Sequence, residues 1–312
     1  MKKVILDVDT GIDDAIAIML AVGSKDIDLI GITTLSGNIE INKATINTLR
    51  VLKILGREDI KVYKGAEKPL ERELVDASHI HGPDGLAGQL KDIEVKYNNK
   101  KSAFEFLESS INKYGDNLNI IMTGPETNLA KLFLMKPELT SKVKNVIAMG
   151  GAIEVHGNKT PTGEFNIVTD PEAAYNCFNS KIENFTLVSL DVTMKALITK
   201  EDLNLINNRS TRNIVYGFTK AYMERYFKKF GVRGCPMHDP LTVLYLINPN
   251  IITIEKQYVT VERSGEFTRG MTVCDYNSHL NRKANINICK KIDVELFKKE
   301  YFKILNQLKI NN

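Results

Sequence analysis

Residues 4–20 read VILDVDTGIDDAIAIML, two apolar runs separated by a short acidic segment. The first run is typical of a buried strand, and the second has the apolar spacing of a helix. Four carboxylates stand between them: Asp7, Asp9, Asp13 and Asp14. They therefore fall on a strand-to-helix turn, which is where open α/β sheets bind their ligands.

Four like charges in one turn repel one another unless a cation is shared among them. Carboxylate oxygens are the ligands that hard divalent ions such as Ca²⁺ and Mg²⁺ prefer. An aspartate is also common as a helix N-cap, because its side chain accepts backbone N–H bonds. Capping accounts for one acid but not for four, so the segment favours a metal or ligand site.

The composition is that of an ordinary globular protein. Apolar residues make up 43% and charged residues 26% of the 312 residues, close to the averages for globular domains. The net charge of +4 comes from scattered basic residues, so no basic stripe predicts binding to nucleic acid. No segment is long and apolar enough to predict a membrane span.

The amino terminus and the cysteines favour the cytoplasm. Met1-Lys2-Lys3 imitates the start of a signal peptide, but Asp7 and Asp9 interrupt the apolar run behind it. The cysteines are far apart and form no Cys-x-x-Cys pair: Cys177, Cys235, Cys274 and Cys289. Because this spacing favours reduced thiols over disulfides or a zinc site, we predict a cytoplasmic protein.

Strand-like and helix-like segments alternate along the chain. Strands are predicted at residues 4–6, 27–35, 60–63, 118–122, 143–149 and 185–190. Helices are predicted at residues 15–20, 42–55, 102–113, 211–227, 240–247 and 294–308, with another starting near Pro125. This alternation predicts an α/β fold: an open, mostly parallel, Rossmann-like sheet with helices on both faces. Residues 257–262 and 271–275 add a small antiparallel edge element, and residues 1–312 form a single domain.

Polar groups follow several of the predicted strands. They are found at Ser36-Gly37-Asn38, at Thr123-Gly124-Pro125, at Gly150-Gly151 and just before the helix at 240–247. The carboxyl ends of parallel strands share one edge of a sheet, so we expect these groups to meet there. Two long polar segments, residues 65–101 and 150–169, also suggest function, because structureless loops of that length are uncommon in compact domains.

Each of these groups also has an ordinary structural explanation. Asn38 could cap the helix after it, Gly150-Gly151 could only form a turn, and Asp239 before Pro240 matches an N-cap acid with a first-turn proline. Histidines and tyrosines have such explanations too: a structural role for His238, a surface position for His79 and His81, and core packing for Tyr222 and Tyr226. Their joint position at strand ends favours a site.

Six sequence motifs, in the order in which they follow one another along the chain, resemble those of the nucleoside hydrolases. They are DVDTGIDD at 7–14, TGPETNLA at 123–130, MGG at 149–151, EFN at 164–166, DPEAA at 170–174 and HDP at 238–240. The chain is more closely similar to the inosine-uridine preferring group, and the resemblance covers essentially the whole chain. It implies the nucleoside hydrolase fold and a Ca²⁺-dependent N-ribohydrolase that cleaves ribonucleosides such as inosine and uridine to ribose and base.

The resemblance also implies roles for individual residues. Calcium would be held by the carboxylates of Asp9, Asp14 and Asp239 and by the main-chain carbonyl of Thr123. Asp9 would be the general base that activates the metal-bound water, and His238 the catalytic proton donor to the leaving base. The ribose subsite would comprise Asp13, Asn38, Met149, Asn158, Glu164 and Asn166. The base subsite would comprise His81, Tyr222, Tyr226 and His238. Family members are typically homo-oligomers, either dimers or tetramers.

Small departures from the family pattern bear on packing and specificity. Glu126 stands where leucine is frequent, and Gly163 where alanine is frequent. The chain has no Trp, which argues against the purine-specific branch, where indoles sandwich the base. Tyr222, Tyr226 and His238 favour the broad-specificity branch over the pyrimidine-preferring one.

The implied chemistry agrees with physical reasoning from the residues. Cleavage of an N-glycosidic bond gives the ribose oxocarbenium character, which acidic and oxygen-rich surroundings stabilise. The attacking water must lose a proton, which a divalent metal together with a carboxylate can bring about. A nucleobase leaves poorly as an anion, and histidine suits proton donation because its pKa lies near neutrality.

Two other functions remain open at this point. A haloacid-dehalogenase-like phosphotransferase also ends its first strand in Asp-x-Asp, but its fifth motif position is usually Thr or Val, here Gly11, and its second acidic pair comes much later. A non-catalytic, calcium-dependent nucleoside or ribose binding protein would keep the metal ligands without needing a base at Asp9 or a donor at His238.

Overall fold

The computed structural model describes residues 1–310, apart from the side chain of Lys229. Its strands are β1 (Lys2–Val8), β2 (Ile27–Thr34), β3 (Val62–Lys64), β4 (Leu118–Met122), β5 (Asn145–Met149), β6 (Asn184–Val188), β7 (Leu197–Ile198), β8 (Cys235–Pro236), β9 (Ile252–Gln257), β10 (Val259–Val261), β11 (Thr272–Cys274) and β12 (Ile286–Ile292).

The helices of the described residues are α1 (Ile12–Gly23), α2 (Ile41–Ile54), α3 (Ser78–His81), α4 (Ala103–Tyr114), α5 (Thr127–Met135), α6 (Phe165–Thr169), α7 (Pro171–Phe178), α8 (Leu190–Thr193), α9 (Arg209–Phe230), α10 (His238–Ile247) and α11 (Val294–Leu305). Among these residues, no helix is both long and apolar enough to cross a membrane.

A central sheet of eight strands organises the fold, in the order β3-β2-β1-β4-β5-β6-β12-β9. Its neighbours pair in parallel except β9, which runs antiparallel to β12 at one edge. The strand order reverses beside β1, because β2 lies on one side of it and β4 on the other. Open α/β sheets bind ligands in the crevice at such a switch point.

Both faces of the sheet are covered, which explains the continuous apolar runs of its strands. Along β1, Val4 and Leu6 pack into one core with α1, α9, α10 and α11, while Ile5 packs into a second core with α4, α5 and α7. The predicted mostly parallel sheet with helices on both faces is confirmed.

The antiparallel parts of the fold are partly as expected. The predicted pairing of residues 257–262 with 271–275 is confirmed as β10 with β11, but these strands form a small sheet of their own. The edge of the central sheet is β9, which the sequence pattern did not indicate. Residues 253–256 are exposed, and the apolar alternation of β9 is limited to Ile252 and Ile254, which is too short to predict a strand.

The two long polar segments are ordered and contain short helices, α3 and α6. The first segment is held across the sheet edge by Arg72, which forms a two-pronged ion pair with Glu172 at 2.6 and 3.0 Å. The amide N–H of Leu70 donates to Asp170, and that of Ala77 donates to the carbonyl of Asn38. These contacts place α3 beside the carboxyl end of β1.

Candidate active site

The acidic segment lies at the carboxyl end of β1 and in the first turn of α1, and its side chains are buried. Carboxylate oxygens of Asp13, Asp14 and Asp239 all lie within 4.8 Å of one another. Asp9 accepts hydrogen bonds from the backbone N–H and the side-chain amide of Asn38, at 2.6 and 3.1 Å. The first strand and α10, far apart in sequence, therefore meet in one acidic cluster.

Asp14 connects this cluster to two neighbouring segments. Its carboxylate accepts hydrogen bonds from the Thr123 hydroxyl at 2.6 Å and from the Asn38 amide at 3.1 Å. It also accepts the N–H of Gly11 at 2.8 Å, which is part of the capping of α1. Asp14 is therefore the one acid of this segment that helps to cap α1. Capping does not explain the other carboxylates.

The capping explanation is wrong for Asn38 and Asp239. Helix α2 is preceded by Glu40, while the Asn38 side chain is committed to Asp9 and Asp14. Helix α10 begins at His238 rather than at Pro240, with Met237 as its N-cap residue, so Asp239 lies inside the first turn. Both side chains are free of helix capping and are directed to the acidic cluster.

Burial and mutual repulsion disfavour ionisation of these acids. Burial, reinforced by the nearby charge of Asp14, raises the pKa of Asp13 to about 8 and the pKa of Asp9 well above its usual range. Burial and the charges of Asp13 and Asp14 likewise raise the pKa of Asp239. A hard cation would relieve this repulsion, and the all-oxygen donor set fits such an ion.

Asp7 belongs to a different environment. Its carboxylate accepts hydrogen bonds from the Thr33 hydroxyl at 2.5 Å and from the Asn128 amide at 2.7 Å, which tie β1 to β2 and α5. Burial raises its pKa to about 7. Asp7 therefore supports the turn from beneath and does not line the cavity described next.

A cavity of about 280 Å³ opens in front of the acidic cluster. Twelve of the sequence-predicted site residues line it: Asp13, Asn38, His81, Thr123, Met149, Asn158, Glu164, Asn166, Tyr222, Tyr226, His238 and Asp239. The other two, Asp9 and Asp14, lie directly behind Asn38 and Thr123, to which they are hydrogen-bonded.

One end of the cavity is polar and is fixed by backbone contacts. Glu164 is the N-cap of α6 and accepts the N–H groups of Asn166 and Gly151 at 2.9 and 3.1 Å. Burial raises its pKa to about 7 in spite of these bonds. The Asn166 amide donates to the carbonyls of Thr123 and Met149, at 2.8 and 3.0 Å. Rigid oxygen and amide groups of this kind suit a sugar with several hydroxyls.

The other end is aromatic and carries two buried histidines. Tyr222 packs edge-on against Tyr226, with ring centroids 4.9 Å apart. The Tyr226 hydroxyl lies 2.8 Å from Nε2 of His238. Burial lowers the pKa of His238 to about 4 and that of His81 to about 3, so both imidazoles are neutral near pH 7.

The proton of His81 can be placed from its partner. The backbone N–H of Ile12 donates to Nδ1 of His81 at 3.1 Å, so the proton of the neutral ring is on Nε2. Gly11 makes this approach possible, because a Cβ there would lie 2.6 Å from the same Nδ1. His81 is therefore held as a hydrogen-bond donor at the cavity wall.

Six further residues line the cavity that were not among the predicted site residues: Ala77, His79, Ile80, Lys159, Phe165 and Phe230. Most lie in the two long polar segments, whose path depends on tertiary contacts. Phe230 could have been predicted from the sequence, because it follows Tyr222 by eight residues and Tyr226 by four and so lies on the same face of α9.

Glu126, the departure from leucine noted above, is fully buried at the start of α5. Neither of its carboxylate oxygens has a hydrogen-bond partner among the described residues. Burial, with the nearby charges of Glu164 and Asp170, raises its pKa well above the usual range. A buried acid of this kind costs stability once the pH is high enough to ionise it in the unfolded chain.

We therefore expect Glu126→Leu to increase the free energy of unfolding by about 1–3 kcal/mol at pH 8, the usual cost of a buried unpaired polar group. The native pKa is raised, so the wild type loses stability as pH rises above the unfolded value, and the gain should shrink toward pH 5. Urea unfolding at both pH values measures this. Glu126→Gln keeps the buried polar atoms, so its free energy of unfolding should increase less. A Glu126→Leu variant that is less stable than the wild type at pH 8 would contradict the interpretation.

Comparison with known proteins agrees with the motifs. The sequence model described as inosine-uridine preferring nucleoside hydrolase matches residues 4–299. The chain is 39% identical over 298 residues to the pyrimidine-specific ribonucleoside hydrolase RihA of Escherichia coli O17:K52:H18, covering 94% of this chain and 95% of that protein.

Solved structures show the same fold. A purine-preferring ribonucleoside hydrolase from Gardnerella vaginalis superposes with a TM-score of 0.89 at 32% identity, covering 98% of both chains. The plant nucleoside hydrolase PpNRh1 gives a TM-score of 0.92 at 30% identity, covering 98% of this chain and 99% of the other. Matched in sequence and in shape over nearly its whole length, this chain belongs to the inosine-uridine preferring nucleoside hydrolases, enzymes that hydrolyse N-glycosyl bonds.

Proposed function

We propose that this enzyme hydrolyses ribonucleosides to ribose and free base in a Ca²⁺-dependent reaction. The observation that carries this proposal is the division of one cavity into a carboxylate-rich end, suited to ribose, and an aromatic end with two neutral histidines, suited to a base. The pyrimidine-specific name of the RihA relative supports uridine as a substrate. The Tyr222, Tyr226 and His238 cluster supports inosine as well.

Calcium would be held by Asp9, Asp14 and Asp239 and by the carbonyl of Thr123. The support is the buried all-oxygen donor set and the repulsion that raises the pKa of Asp9 and Asp239. When bound, the ion would supply charge neutralisation and Lewis acidity toward a water. Asp13 also has a carboxylate oxygen within 4.8 Å of those of Asp14 and Asp239, and it lines the cavity. It is therefore suited to the ribose hydroxyls.

Asp9 is assigned as the general base. Its two hydrogen bonds from Asn38 fix the carboxylate behind the cavity wall, and burial makes it a stronger base than a solvated aspartate. The ribose would be held by the predicted set Asp13, Asn38, Met149, Asn158, Glu164 and Asn166. As the C1′–N bond lengthens, the acidic members of this set stabilise the positive charge on the sugar.

The leaving base develops negative charge, and His238, the proton donor expected from the resemblance, is assigned to stabilise that charge through hydrogen bonding. Its Nε2 is engaged by the Tyr226 hydroxyl at 2.8 Å, so the path to the base runs through that hydroxyl. His81 and Tyr222 complete the base subsite at the same end of the cavity. Because burial lowers the pKa of His238 to about 4, the near-neutral acid expected from the sequence is not present, and the neutral imidazole acts by donating its Nε2–H to the Tyr226 hydroxyl.

His238→Ala should lower kcat for inosine by about 100-fold, the low end of what a positioned proton donor contributes. The loss should be less than about tenfold with p-nitrophenyl riboside, whose leaving group needs no proton. Steady-state rates on the two substrates measure this difference. His279→Ala, which alters an exposed histidine, serves as the matched control. Equal losses on both substrates would remove His238 from stabilisation of the leaving base.

The proposed reaction is tested by rates with uridine, inosine and p-nitrophenyl phosphate, with released ribose measured as reducing sugar. We expect turnover of both nucleosides and no turnover of the phosphate ester. The phosphotransferase alternative would require turnover of the phosphate ester. Nucleoside binding without release of ribose would support the non-catalytic alternative. Failure to cleave any common ribonucleoside would overturn the proposal.

Three further assignments accompany this proposal. The chain is taken as one domain over residues 1–312, supported by the single central sheet, and as a homo-oligomer, a dimer or tetramer, as the resemblance implies. A cytoplasmic location is supported by the four cysteines, which are all free. Light scattering on the purified enzyme gives the oligomeric state, and a monomeric mass at micromolar concentration would contradict that assignment.

A further inference from the structure

His238 is held between two hydroxyl groups. The Tyr226 hydroxyl lies 2.8 Å from Nε2, and the Thr193 hydroxyl lies 2.8 Å from Nδ1. All three side chains are buried, and Thr193 is fully enclosed. Thr193, the partner of Nδ1, does not line the cavity, so it can act on the imidazole but does not contact the substrate.

The segment that carries Thr193 is firmly anchored. In helix α8, Asp191 accepts the N–H groups of Ile153 and Glu154, at 3.1 and 2.8 Å, and the Ser189 hydroxyl at 2.7 Å. The N–H of Met237, next to His238, donates to the carbonyl of Ala196 at 2.9 Å. Backbone contacts therefore fix the Thr193 hydroxyl relative to the imidazole.

A neutral imidazole has one N–H, and each neighbouring hydroxyl can either donate or accept. If the imidazole proton is on Nδ1, Nε2 is an acceptor and the Tyr226 hydroxyl donates its hydrogen to it. That hydroxyl then has no hydrogen to donate to the base. If Thr193 donates to Nδ1, the proton is on Nε2 and is donated to the Tyr226 oxygen. Tyr226 then accepts this bond, so its own hydrogen is free to point into the cavity that it lines.

We propose that Thr193 is a positioning residue that donates its hydroxyl hydrogen to Nδ1 of His238 and so keeps the imidazole proton on Nε2. The catalytic consequence rests on the proposed function. The base nitrogen takes the electron pair of the C1′–N bond and accepts a hydrogen bond from the Tyr226 hydroxyl, which the Nε2–H of His238 polarises, and the departing base takes its proton from solvent. The attacking water gives its hydroxyl to C1′ and its proton to Asp9, which releases it to solvent.

The kinetic test compares inosine with p-nitrophenyl riboside. Thr193→Val keeps the shape of the side chain but cannot donate, so kcat for inosine should fall about tenfold, part of the contribution of a positioned proton donor. The loss with the aryl riboside should be several-fold smaller, with both KM values nearly unchanged. Thr193→Ser should restore the inosine rate.

A matched control removes another buried hydroxyl. Thr219→Val deletes a group that donates only within α9, to the carbonyl of Val215, and should not change the ratio of the two rates. If Thr193→Val lowers both substrates equally, or if Thr193→Ser fails to restore inosine turnover, Thr193 has only a structural role and the proposal is overturned.

Nitrogen-15 NMR of histidine-labelled enzyme tests the tautomer independently of activity. The two ring nitrogens of a neutral histidine differ strongly in chemical shift, and comparison with His238→Ala assigns the signals. We expect the Nε2–H form in the wild type and a loss of that preference in Thr193→Val. A wild-type Nδ1–H form overturns the proposal even if nucleosides are cleaved. If none is cleaved, the proposed function fails while the tautomer result still stands.

Discussion

Asp9→Asn should lower kcat for both inosine and uridine by about a thousandfold or more, within the range that general bases contribute. Asparagine has nearly the same shape and can still accept one of the two Asn38 hydrogen bonds through its single carbonyl oxygen, but it cannot take a proton from the attacking water. The dissociation constant for nucleoside should change by less than about tenfold. Rapid-quench turnover and equilibrium binding on the same preparation measure the two quantities.

The control for this variant lies two residues earlier. Asp7→Asn also alters a buried carboxylate of β1, but that carboxylate faces Thr33 and Asn128 and does not line the cavity. It should keep most of the activity of the wild type. If Asp9→Asn loses binding and turnover to the same extent, Asp9 only holds the metal and another group is the base.

Thorough chelation should lower nucleoside hydrolysis by at least about a hundredfold, and adding Ca²⁺ should restore it. Without a cation the buried carboxylates of Asp13, Asp14 and Asp239 repel one another, and no charge is available to orient a water. Because the ion binds only the folded enzyme, Ca²⁺ should also raise Tm by several degrees. Activity and differential scanning fluorimetry over a calcium titration measure both effects.

Asp239→Asn tests whether both effects of Ca²⁺ depend on the acidic cluster. It should lose both the activity and the calcium-dependent rise in Tm, because it removes a charge that α10 contributes to the cluster. Hydrolysis that survives chelation unchanged would rule out the metal assignment, whatever the result with Asp9. A rise in Tm without recovery of activity would mean that the ion is structural.

The part of the site that follows from the sequence is the part encoded locally. The acids of residues 7–14 follow directly from β1, so their place at the carboxyl edge could be predicted from one apolar run and one helix. The parallel sheet predicted only a shared edge for Asp239 and the first acids, and its place in one cluster with Asp13 and Asp14 needed the family resemblance, because α10 comes more than 200 residues later. Motif order carried that information, and local periodicity did not.

Other features depend on tertiary contacts that leave no local pattern. Edge strand β9 is mostly exposed and has only Ile252 and Ile254 as apolar residues, and α6 is a single turn stabilised by the Glu164 cap. The start of α10 at His238 puts the histidine inside the helix, where Thr193 can reach it. No spacing in the sequence links Thr193 to His238, so this contact could only be found in the folded chain.

The central claim is that water cleaves the N-glycosidic bond of a ribonucleoside in this cavity. Its most direct test is incubation with uridine in phosphate-free, calcium-containing buffer made with oxygen-18 water, followed by mass spectrometry of the sugar. The account predicts uracil together with ribose that carries one labelled oxygen, with the label absent from unreacted uridine. Release of uracil only when phosphate is added, with ribose phosphate as the product, would contradict it, as would the absence of any sugar product.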